Sequence, residues 1–119
     1  MLESKNIAAA DDKRTFEHGE VSLVHLTGFT LGRAEFRPGW RWSTDVRPVV
    51  GTDSCQGTHM SYVVSGRFHV VMDDGREADL GPGDAHLVGP GHDAWVVGDE
   101  PCVTIDFIPN GDVAGAGAP

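Results

Sequence analysis

Basic residues are scarce. Nine Lys and Arg stand against eighteen Asp and Glu, a formal net charge of −9, and no basic stripe exists to neutralise phosphates. That excludes nucleic acid as a partner and disfavours an anionic membrane surface. Cysteine is nearly absent: Cys55 and Cys102 are too few and too far apart for a disulfide framework or a four-thiolate zinc site, so both are expected as reduced thiols. Long apolar runs are missing. Residues 1–7 carry Glu3 and Lys5 and no hydrophobic stretch of signal-peptide length, and nothing later approaches a membrane span, so a soluble, cytoplasmic protein is expected. Helical periodicity is hard to find anywhere, whereas sixteen glycines and a hydrophobic fraction of 39% suit short strands joined by turns.

A chain of 119 residues makes one domain, large enough to bury a core without staples. Residues 1–14 read as a flexible arm with at most one helical turn near Ala8, 15–109 as the folded domain, and 110–119 as a disordered tail with nothing to bury. Alternation predicts a first strand over 21–26 and a second over 30–37, closed by Pro38 and Gly39. Residues 43–51, with Pro48 and no alternation, read as a loop over an entrance. A strand over 59–64 turns at Ser65 and Gly66 into 67–72, where Phe68, Val70 and Met72 share one face and Arg67, His69 and Val71 the other. Asp73-Asp74-Gly75 is a hairpin signal, because Asp-Gly accepts the positive φ such turns need. Strands over 85–88, 94–97 and 102–108 close the sheet, and Cys102 on the last is expected as a small buried apolar group. The fold class is all-β.

The stretch from Asp53 to Trp95 resembles the two motifs of the cupin superfamily. The first motif has two histidines one residue apart, a glutamate four or five positions on and a glycine seven beyond it; Asp53, Cys55, His59 and Gly66 fall on those marks. The second has Pro-x-Gly, two residues, then histidine; Gly83-Asp84 and Gly89-Pro90-Gly91 align with its landmarks and Ala94 takes the histidine position. The resemblance covers about residues 20 to 108. It implies a single-domain cupin-like β-barrel (a double-stranded β-helix, or jelly roll) and, through an N-terminal strand shared between subunits, a homodimer.

The resemblance also implies a site. Cupin barrels usually hold a divalent metal on three histidines and a carboxylate. Here Asp53, Cys55 and His59 retain donors while Ala94 does not, a set suited to zinc or iron(II) with one position open. His86 and His92 are further candidate ligands: His86 if its strand faces it inward, His92 if a register change brings it in from an exposed turn. Without a metal, the same pocket is a ligand-binding or sensory module, or an acid–base enzyme using His59. Cys55 as a nucleophile ranks below both. Trp40, Trp42, Tyr62 and Trp95 are candidate walls for a small-molecule guest. In an extended segment Trp40 and Trp42 point the same way, to stack on a ligand or to plug the barrel.

Overall fold

The computed structural model describes residues 1–109, so the expected disordered tail, 110–119, lies outside the described residues. Nine strands run through that part of the chain: β1 (Asp12–Phe16), β2 (Gly19–Leu26), β3 (Phe29–Phe36), β4 (His59–Ser65), β5 (Phe68–Met72), β6 (Glu77–Leu80), β7 (Ala85–Val88), β8 (His92–Val96) and β9 (Cys102–Pro109). They form two antiparallel sheets, a six-stranded one ordered β1-β2-β3-β9-β4-β7 and a three-stranded one ordered β6-β5-β8. From β4 onward the chain crosses between sheets, so their inner faces enclose one core of Val21, Leu23, Phe36, Val63, Phe68 and Ile108, among others. The all-β reading holds.

Alternation decides what faces that core. In β4, His59, Ser61 and Val63 are buried while Met60, Tyr62 and Val64 are exposed, and in β5 Phe68 and Val70 turn inward. The expected hairpin forms: Gly75 has φ +92°, and its N–H donates to the Met72 carbonyl at 2.9 Å. No described helix is long and apolar enough to cross a membrane.

Two expectations are corrected. The arm does not extend to residue 14, because Asp12 already pairs with Leu23 and Phe16 with Gly19, making β1 the outermost strand of the large sheet. The Asp11 N–H donates to the Leu23 carbonyl at 2.9 Å; these bonds satisfy the edge of β2, which alternation within one segment cannot foretell. The segment 43–51 is no loop either. It contains two helical turns, α1 (Trp42–Asp45) and α2 (Arg47–Val50), with Pro48 in the first turn, where no N–H is needed. The segment from Trp40 to Cys55 runs beside β8, joined by isolated bridges of Arg41 to Trp95 and Cys55 to His92. Trp42 and Val46 are buried on its inner side, so it walls the barrel.

Candidate metal centre

Cys55 reaches the interior by its backbone. Its N–H donates to the His92 carbonyl at 2.7 Å and its carbonyl accepts from the Gly91 N–H at 2.8 Å. This antiparallel bridge sets the Cys55 and His92 side chains next to one another on the same side. His59, at the start of β4, enters from the opposite sheet. One ligand atom from each of Cys55, His59 and His92 lies within 4.8 Å of the others, and all three residues are buried. The Cys55 Sγ stands 3.6 Å from His59 Nε2, and the two imidazoles meet edge to face at 5.2 Å.

The proton states suit an ion. Burial pushes the His59 imidazole down to about 4, with His92 and His86 adding to the shift. Burial also lowers His92, against the opposing pull of the Gly89 carbonyl. Both rings are therefore neutral near pH 7 and can offer a lone pair. His92 Nδ1 lies 2.7 Å from the Gly89 oxygen, and as the donor in that bond it leaves Nε2 for a ligand. Burial raises the Cys55 thiol, so an ion would have to displace its proton. A tetrahedral zinc with bonds of about 2.3 Å to sulfur and 2.05 Å to nitrogen separates those ligand atoms by about 3.6 Å. The observed Sγ to Nε2 distance matches it, and three protein donors leave one position open.

His59 and His92 also face a cavity of about 40 Å³ lined by Trp40, Ser61, His86, Thr104 and Asp106. At that size it has room for roughly three waters. Its wall has a polar side: Ser61 Oγ donates to Asp106 Oδ1, and Thr104 Oγ1 reaches the same oxygen at 3.5 Å. Burial raises the Asp106 carboxyl to about 6, partly offset by these two hydroxyls. His86 is lowered by burial, and its Nδ1 is buried without a hydrogen-bond partner among the described residues. A larger groove of about 540 Å³ opens between β6 and β7 and shares Val70, His86 and Val88 with the cavity.

Solved structures show the same architecture. An ectoine synthase from P. lautus is similar at a TM-score of 0.67 and 15% identity, over 97% of this chain and 82% of that one. The polyketide cyclase RemF from Streptomyces resistomycificus gives 0.62 and 20%, over 92% and 80%. An oxalate decarboxylase from Lactobacillus farciminis, solved with formate, gives 0.60 and 20% over 83% of this chain, which spans only 31% of the decarboxylase. This is a cupin fold. No protein-family model and no curated protein matches the chain.

In this cupin barrel the candidate residues scatter. Asp53 is fully exposed and pairs with Arg47 at 3.4 Å, so it does not join Cys55 in the interior. Two positions apart in an extended strand they would share a face, but the chain bends at Asp53 and Ser54, and parity fails across the bend. Tyr62 is exposed on the outer side of β4, three residues from inward His59. Trp95 lies on the outer side of β8, with the Arg41 guanidinium 4.2 Å from its ring centre and His69 stacked at 4.9 Å. Trp42 is buried in the core at the head of α1 and does not line the cavity. Of the four aromatic candidates only Trp40 does.

The histidines came out differently. His92 is 4% exposed and points inward with no register change, because it and Ala94 are two apart on β8. His86 faces inward too. Asp106 is the residue that the motifs miss, yet it had a signal: Cys102, Thr104, Asp106 and Ile108 share the buried parity of β9.

Proposed function

We propose that this chain is a small metal-binding cupin whose Cys55, His59 and His92 hold one divalent ion, zinc or iron(II), and whose cavity binds and acts on a small organic molecule. The convergence of the three buried donors carries this reading. A bound ion would supply a Lewis acid that polarises an oxygen of the guest. The chain itself supplies the rest. Trp40, Phe36 and Phe68 give the cavity its aromatic walls, and the Gly89 carbonyl fixes the His92 tautomer. The formate in the similar decarboxylase is a guest of the right size class. The proposal includes a homodimer in a reducing cytoplasm, with both thiols reduced.

Elemental analysis of protein purified without chelators tests it. About one equivalent of zinc or iron is expected, and Cys55→Ser and His92→Ala should each lose at least tenfold in zinc affinity. Under about a tenth of an equivalent, with no uptake on titration, would refute the metal centre.

A second reading, metal-free binding of a hydrogen-bonding ligand, is favoured by the buried Trp40 Nε1 and His86 Nδ1, neither with a partner among the described residues. A thermal-shift screen separates the two, because stabilisation by divalent metals alone points to the ion. Metal-free catalysis by His59 is limited by its value of about 4, which leaves the ring without a proton to give near neutrality.

A further inference from the structure

Asp106, Ser61 and His86 stand in one row. Asp106 of β9 pairs with Ser61 of β4, and Ser61 pairs with His86 of β7, so three polar side chains face the cavity across three adjacent strands. Gly32 lies opposite Asp106 on β3, and a Cβ there would pack at 3.6 Å from the Asp106 Cβ and 3.2 Å from Leu23. Ser61 is two residues beyond His59 on the same face of β4, which puts the row about 7 Å along the strand from the metal ligands. One small guest can touch both.

A carboxyl in such a place is costly unless it has a use or a strong partner. Asp106 is 6% exposed, and the side chains bonded to it are two hydroxyls, with no Lys or Arg paired to it among the described residues. Burial without a counter-charge is the arrangement that brings a carboxyl toward neutral-pH proton exchange, as its value of about 6 reflects.

Resting on the reading above of a guest held beside the metal ligands, we propose that Asp106 is the proton-transfer residue of the cavity, positioned by Ser61, and that the guest is a small carbonyl compound bearing a C–H next to its carbonyl. The carboxylate takes that proton. The electron pair of the broken C–H bond forms the C=C of an enolate whose charge rests on the oxygen, at the side lined by His59 and His92. Returning the proton to the same carbon gives exchange. Where that carbon also bears a hydroxyl, the enolate is an enediolate, and moving the hydroxyl proton to the first oxygen while the carboxyl gives its proton to the former carbonyl carbon gives an isomer. Nothing is oxidised and no co-reactant is consumed. Ser61 holds the carboxyl through its hydroxyl, and His86 Nδ1 is left to bond the guest.

The test is deuterium wash-in from heavy water into pyruvate, acetoacetate and dihydroxyacetone, with zinc-supplemented protein and NMR detection. Wild type is expected to exchange at least one of them above the buffer rate, and Asp106→Asn to lose at least a hundredfold of that rate with its melting temperature no lower than wild type's and its zinc content retained. Ser61→Ala should slow exchange about tenfold and Ser61→Thr should restore it, which a purely structural hydroxyl would not do. An infrared difference spectrum supplies a readout apart from turnover. Acidification should bring up the carboxylic-acid band of a buried group in wild type that Asp106→Asn lacks. Wash-in that survives Asp106→Asn, or no wash-in with any of the three, would overturn the assignment. Zinc measured on the same samples keeps the two readings apart: exchange without bound metal would sink the metal centre and leave Asp106 standing.

Discussion

At the scale of single residues, buried titratable groups pull the stability of this barrel in opposite directions. Asp106 is raised from 3.8 to about 6. Between those values the folded protein keeps a proton that the unfolded chain has given up, so this group's contribution is present at low pH and is lost as pH rises through about 6. That difference is worth roughly 3 kcal/mol. His59, lowered from 6.5 to about 4, has the other sign. The unfolded chain binds its proton first, and the stability that His59 contributes at neutral pH is lost as pH falls between about 6.5 and 4, again by roughly 3 kcal/mol. His86 and His92 shift the same way. The histidines outweigh the carboxyl. Urea unfolding in the presence of a chelator should therefore show wild type weakening from pH 7 to pH 5. Asp106→Asn should be more stable than wild type at pH 7, by about 1–2 kcal/mol, and should weaken more steeply on acidification. A wild type that strengthens over this range would contradict the assignment.

At the scale of elements, the corner between β4 and β5 is the most constrained turn. Gly66 has φ +74°, and a Cβ there would collide with the Pro101 carbonyl oxygen and come within 2.6 Å of the Cys102 Cα. Both objections are to backbone, which cannot swing aside. Gly66→Ala is expected to cost at least about 2–3 kcal/mol in chemical unfolding, against a small effect for Gly51→Ala, where nothing lies within 4 Å of the added carbon and the φ of +80° is the sole objection. The glycine landmark of the first motif thus marks a close approach of two segments of the backbone. Element order from β4 onward was legible in the same way, from Asp73-Asp74-Gly75 and from alternation. The wall made by 40–55 was not, because its helical turns are held by contacts to β8 such as Ser43 N–H to Asp93 Oδ1 at 3.1 Å, fifty residues away.

At the scale of the whole molecule, the outer face of the six-stranded sheet carries an exposed apolar patch over β4, β7 and β9. Met60 pairs with Leu87 and Leu31 with Phe107 across neighbouring strands, and Met60, Leu87 and Phe107 are exposed at 59%, 74% and 47%. A homodimer that covers this face would remove that surface from water. Light scattering should return twice the mass of one chain, and Phe107→Asp should return one; a monomeric wild type would rule the dimer out.

The local pattern alone was enough for an all-β fold and its Asp73-Asp74-Gly75 hairpin, since period-two alternation and Asp-Gly chemistry are properties of neighbouring residues. The barrel and the inward place of His59 came from the resemblance of the motif spacing. Which donors meet was settled only by tertiary pairing. Asp53 sits two residues from Cys55 yet a bend turns it to solvent, whereas His92, 37 positions on, is bridged to Cys55 through backbone bonds. Distance along the chain says nothing about such a bridge, because it forms between sheet edges whose register depends on every turn before it.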